Sequence, residues 1–244
     1  MTKARRTNLF FLGMVVFYLI SCFLILPLLP DKLLSNNSSI IIGQSLVIIP
    51  TVFYLIFTKG KPLKDIPFKS IGALNIFLLI IFTYCMLPVI SLINTISMIF
   101  AKNEIAVQLD SMGSNHFLIN IFLVALVPAL VEEFVFRGII YGGYRNSIIK
   151  RGILLSGLLF GLFHMNFNQF CYAFFMGIVF ALLREGTGSI HSSMIVHFVF
   201  NANSVILLKI IDIYTNYVNK MAQSNDSFKE IADMLNEQSE STAT

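Results

Sequence analysis

The chain has 244 residues, of which 56% are hydrophobic and only 12% charged, and its mean hydropathy is +0.79. A soluble domain carries about 25% charged residues, so the composition excludes a soluble globular fold and leaves little room for a separate soluble domain. The net charge of +4 does not point to nucleic acid, because the basic residues fall in short loops between apolar runs, where they meet anionic headgroups and set topology.

An apolar run needs about 20 residues to cross a bilayer as a helix. Residues 9–30 qualify. Lys3, Arg5 and Arg6 precede them as in a signal peptide, but the run is too long for a typical signal core and has no A-x-A-like cleavage site, so it reads as an uncleaved first span. A second span is expected at 40–58 and a third at 74–101, tilted or kinked near Pro88. The fourth runs from about His116 into "VEEFVFRG" (131–138) and beyond. Two shorter apolar runs, 153–164 and 168–183, are separated by "HMNFNQ", and the last span is expected at 189–211. The fold class is therefore all-α: a polytopic transmembrane helix bundle of about seven spans, within a range of roughly six to eight.

Residues 1–114 read as an N-terminal membrane region with three spans, 115–211 as a membrane core and 212–244 as a polar tail. In that tail Phe228, Ile231 and Leu235 have helical spacing, and the final "SESTAT" reads as disordered. Cys22, Cys85 and Cys171 lie inside apolar runs without CxxC spacing and read as small buried hydrophobes. Lysine and arginine fall mostly on one side of the bundle: Lys3, Arg5 and Arg6, then Lys59, Lys61, Lys64 and Lys69, then Arg145, Lys150 and Arg151. The other side has Lys32, Lys102 and little else. That asymmetry predicts a multi-pass protein of the cell membrane with a cytoplasmic N-terminus.

Glu132, Glu133 and Arg137 follow the uncharged run "FLINIFLVALVPALV". A charge at the centre of a membrane helix costs roughly 2.5–3.5 kcal/mol on insertion scales, so three of them need a reason. Glu133 and Arg137 are spaced i, i+4 with the acid first, the favourable order for a pair on one helix face. Glu132 points about 100° away and needs polar company from other spans. Phe160 and His164, and likewise His197 and Asn201, are i, i+4 pairs inside apolar runs. Helical rise puts Glu132 and His164 each about 20 Å from the basic side and His197 roughly 13 Å into its span, depths compatible with one polar cavity. A carboxylate, two imidazoles and an amide there form a hydrolytic set: a base for water, and donors for a developing oxyanion.

The three motifs "EEFVFR" (132–137), "FGLFH" (160–164) and "HFVFN" (197–201) appear in that order on successive apolar helices. Together they resemble the CPBP family of intramembrane proteases, which includes the CAAX prenyl proteases of type 2 and bacterial bacteriocin-processing and self-immunity proteins. The resemblance covers roughly residues 115–205 and leaves out the first three spans. It implies that Glu132, with His164, activates the water that attacks a peptide carbonyl. It implies that His197 and Asn201 stabilise the oxyanion, that Glu133 and Arg137 form a supporting pair, and that Phe160 packs the cavity wall.

Glu132, His164 and His197 are also the set a zinc ion would use. The zincin motif HExxH is absent, so the favoured reading is a glutamate base with no cofactor. The expected partners are membrane lipids and a peptide or protein substrate, with no nucleic acid. A prenylated CaaX peptide is one option; a bacterial leader, pheromone precursor or membrane-protein tail is the preferred one. No GxSxG motif is present, and Asp110 and Asp212 flank the spans. "GTGSIHSS" (186–193) reads as a turn into the last span, His116 and His191 as interfacial, and Asn168 and Gln169 as closing a turn or lining a substrate mouth. A transporter or channel is the first rival, disfavoured by the absence of an internal repeat. A non-catalytic immunity or regulatory protein is the second.

Overall fold

A computed structural model describes residues 2–30, 34, 36–101, 117–145, 149–223 and 228–235. Among them there is no strand. The helices are α1 (Lys3–Ile20, continued by π and 3₁₀ turns to Leu28), α2 (Asn36–Phe57) and α3 (Ala73–Met98). They are followed by α4 (Phe117–Tyr144), α5 (Ile149–Phe163), α6 (Phe167–Thr187) and α7 (Ile190–Ala222). Six of the seven are long and apolar enough to cross a membrane, and α5, with 15 residues, is the exception. The chain is an all-α polytopic bundle. The expectations for Lys32, Lys102, Asp110, His116, the boundary at 114–115 and the last six residues lie outside the described residues.

Three boundaries differ from the hydropathy reading. Helix α1 begins at Lys3 rather than residue 9, because Thr2 caps it by accepting a hydrogen bond from the Arg5 amide. Helix α7 continues to Ala222 rather than ending at residue 211. Asp212, placed in the tail by its charge, carries the helix on through Lys209 at 3.3 Å and Asn216 at 3.0 Å. Not every cysteine is buried: Cys85 is exposed, while Cys22 and Cys171 are half-buried. Residues 229–235 are helical, as the spacing in the tail predicts.

Contacts sort the helix ends onto two sides. At one end Lys3 pairs with Asp65, Arg145 with Glu185, and Tyr144 donates to Asn8. The α2–α3 loop lies across the same end. The Ile190 amide donates to the Pro67 carbonyl, and the Lys69 carbonyl receives Ser189 and His191. At the opposite end Asn168, at the start of α6, donates to Asn94 and Ser97 on α3. Helices α5 and α6 therefore form a hairpin that starts and finishes at the basic end, with its turn at residues 164–166. Gly188, at φ +65°, supplies the left-handed turn into α7, and Ser189 caps that helix by accepting from the His191 amide.

Small residues let the hairpin close. A Cβ on Gly177 would lie 2.7 Å from the Gly157 Cα, and one on Gly161 would lie 3.1 Å from the Phe170 carbonyl oxygen. Within a membrane, where lipid tails are as apolar as the side chains, such close backbone packing is a main source of helix association. The outer faces of α1–α3 instead present Phe23, Phe57, Phe77 and Leu92 outward, which suits contact with lipid.

Candidate active site

The charges of the fourth span are divided by a single residue step, about 100° of helix rotation. Glu133 and Arg137 are both fully buried, and their i, i+4 spacing brings Nη1 to Oε1 at 2.9 Å. The guanidinium lies between two aromatic faces, 4.2 Å from the Phe160 centroid and 4.8 Å from that of Phe180. The planar, weakly hydrated cation suits such a slot. His197, 6% exposed, stacks on Phe180 and brings Nδ1 to the same Glu133 oxygen at 3.1 Å. One carboxylate thus gathers α4 and α7, while Phe160 and Phe180 supply walls from α5 and α6.

Glu132 points the other way, into a cavity of about 730 Å³. His164, His197, Asn201 and Phe160 line the same cavity. Glu132 Oε1 accepts a hydrogen bond from Gln44 Nε2 on α2 at 3.0 Å. His164 Nδ1 lies 2.7 Å from the Phe160 carbonyl. A carbonyl only accepts, so Nδ1 carries the proton and Nε2 is the ring atom left for other partners. Asn201 spends one amide proton on the Val124 carbonyl at 3.1 Å and keeps the second. That carbonyl needs a donor because Pro128, four residues on, has no N–H to give it.

Five of the seven motif residues line the cavity, and Glu133 and Arg137 pack behind it against His197 and Phe160. Phe160 does more than fill the wall, since it is one face of the slot that holds Arg137. Gln169 lines the cavity, while Asn168 is buried and clamps α3 to α6. The sequence reading passed over Gln44 and Asn94. Each is an amide inside an apolar helix, and a buried amide without a hydrogen bond costs about 1–3 kcal/mol, which is the signal that could have found them. Helix α4 also contains two π-helical stretches, Ile121–Leu126 and Phe134–Ile140, and such stretches recur at functional sites. Apolar periodicity gave no sign of them.

Among the described residues, no group of three or more His, Cys, Asp or Glu side chains is gathered closely enough to hold a metal ion. His197 and His164 each commit Nδ1, to Glu133 and to the Phe160 carbonyl, and keep Nε2 for another partner.

A family model described as type II CAAX prenyl endopeptidase Rce1-like matches residues 114–203. The membrane-embedded CAAX protease MroQ of Staphylococcus aureus (strain USA300) is 33% identical over 93 residues. The matched residues are similar to the CPBP family of intramembrane proteases. The MroQ match takes in 35% of this chain, and the chain spans 38% of that relative's length. No solved structure matches the chain. The matched segment contains Glu132, Glu133, Arg137, Phe160, His164, His197 and Asn201, whereas Gln44 stands outside it.

Proposed function

We propose that the protein is an intramembrane endopeptidase that hydrolyses peptide bonds of membrane-associated peptides or proteins. The observation that carries this reading is the convergence of Glu132, His164, His197 and Asn201, from three separate stretches of chain, on one cavity. Glu132, half-buried there, takes a proton from water as the oxygen attacks the substrate carbonyl carbon. His164 Nε2 accepts a hydrogen bond from that water and orients it. The tetrahedral oxyanion receives the free Asn201 amide proton and an N–H from His197 Nε2. For His197 to donate there while Nδ1–H bonds Glu133, both ring nitrogens must be protonated, and the developing oxyanion supplies the second negative charge beside Glu133, whose own is matched by Arg137. The C–N bond then breaks, and the proton held by Glu132 passes to the leaving amine.

Glu133 and Arg137 act through position. They fix the helix face from which Glu132 projects and anchor the His197 ring. The substrate class we favour is a bacterial leader, pheromone precursor or membrane-protein tail, with a prenylated CaaX peptide as the alternative. The test is cleavage of a quenched peptide library by the purified protein in detergent, comparing wild type with Glu132→Gln. We expect cleavage by wild type and a loss of at least about 100-fold in the variant, with stability lowered by only about 1 kcal/mol. Equal cleavage by both would remove Glu132 from the mechanism.

A further inference from the structure

Span α2 lies outside the matched segment, yet it reaches the cavity. Gln44 lies inside α2, in the run "IIIGQSLVIIP", where every neighbour but Gly43 and Ser45 is apolar. Ser45 turns its hydroxyl onto its own helix, at the Ile41 carbonyl. Gln44 instead donates across the bundle to Glu132 Oε1 at 3.0 Å, 88 residues away in sequence. Its Oε1 is buried and accepts no hydrogen bond among the described residues. An ionised carboxylate only accepts, so Nε2 is the amide atom that faces Glu132.

We propose that Gln44 is a positioning residue of this site, holding the Glu132 carboxylate by Oε1 and leaving Oε2 as the oxygen that takes the proton from water. This rests on the hydrolase reading above. The chemistry favours an amide in that place. A carboxylate projecting into a cavity rotates freely about its last torsion unless one oxygen is held. A lysine or arginine would hold it but would also neutralise it, as Arg137 does for Glu133. An amide gives a charge-assisted hydrogen bond and carries no charge, so Glu132 is oriented and remains a base. Gln44 and Arg137 thus divide two tasks between neighbouring glutamates. Span α2 then completes the catalytic centre as well as walling the cavity.

The test replaces Gln44 with Met, which keeps the length and removes the donor. In the peptide assay we expect Gln44→Met to lower kcat on the order of 10–100-fold and to leave KM within about twofold. A thermal-unfolding cycle with Gln44→Met, Glu132→Ala and the double variant needs no substrate and should be non-additive. Unchanged kcat in Gln44→Met, with Glu132→Gln inactive, would overturn the positioning role and leave the protease reading standing. A raised KM with kcat retained would overturn it too, by making Gln44 a substrate contact. Additive unfolding shifts would remove the Gln44–Glu132 contact itself. Failure of wild type to cleave would overturn the hydrolase reading and this role with it, while the cycle would still report on the contact.

Discussion

Glu132 and Glu133 are consecutive, yet they occupy two different regions. Around Glu133 the protein is closed: the carboxylate, Arg137 and His197 are within hydrogen-bond distance, and the Phe160 and Phe180 rings cover the guanidinium. Around Glu132 it is open: a half-buried carboxylate faces a cavity of about 730 Å³ and is held by a neutral amide. The same side chain is neutralised in one place and kept as a charge in the other. Burial with a full counter-charge makes a structural anchor, whereas partial burial with a neutral donor leaves a reactive group. The closed region keeps its neighbour in place, and the open one is where the proposed hydrolysis would take place.

The largest expected effect comes from breaking the closed region. Arg137→Met leaves the Glu133 charge buried without its arginine and should destabilise the protein by about 3–5 kcal/mol, read as a lowered unfolding temperature and loss of monodisperse protein in detergent. Glu132→Gln should cost only about 1 kcal/mol of stability. Equal losses from the two would erase the distinction between the regions. Next comes the wall behind the ion pair. A Cβ on Gly177 would meet the Gly157 Cα at 2.7 Å and Arg137 Nη2 at 3.2 Å, so Gly177→Val should destabilise by about 1–3 kcal/mol. Gly43, on the cavity lining with nothing within 4 Å of its Cβ position, should accept alanine without loss in the same unfolding measurement. The smallest effect sets the scale for a solvated pair. Lys3 and Asp65 meet at 2.9 Å with both side chains more than a third exposed. Asp65→Asn should change stability by under about 1 kcal/mol, and less at high salt.

The sequence by itself determined whatever depends on neighbours along a helix. Apolar runs long enough to cross a bilayer have one way to satisfy their backbone there, so the all-α bundle was legible from composition and length. The Glu133–Arg137 pair was legible because a spacing of four residues stacks side chains on one face, and the 2.9 Å contact follows from that local geometry. The three motifs were legible because polar groups inside apolar helices stand out one by one. Helix ends were less so, since Thr2 and the Asp212 pairs act by hydrogen bonds that hydropathy does not weigh. The partners across the bundle were decided by tertiary structure. Gln44 reaches Glu132 over 88 residues of sequence, His197 reaches Glu133 over 64, and Asn201 reaches Val124 over 77. Helical periodicity fixes which face a side chain is on, but not which other helix faces it. That is settled by how closely the helices approach, and here the approach depends on glycines at 157, 161 and 177 and on two π-helical stretches in α4. Sequence therefore identified the polar groups of the site and the glutamate that Arg137 neutralises, and packing decided what each glutamate faces across the bundle.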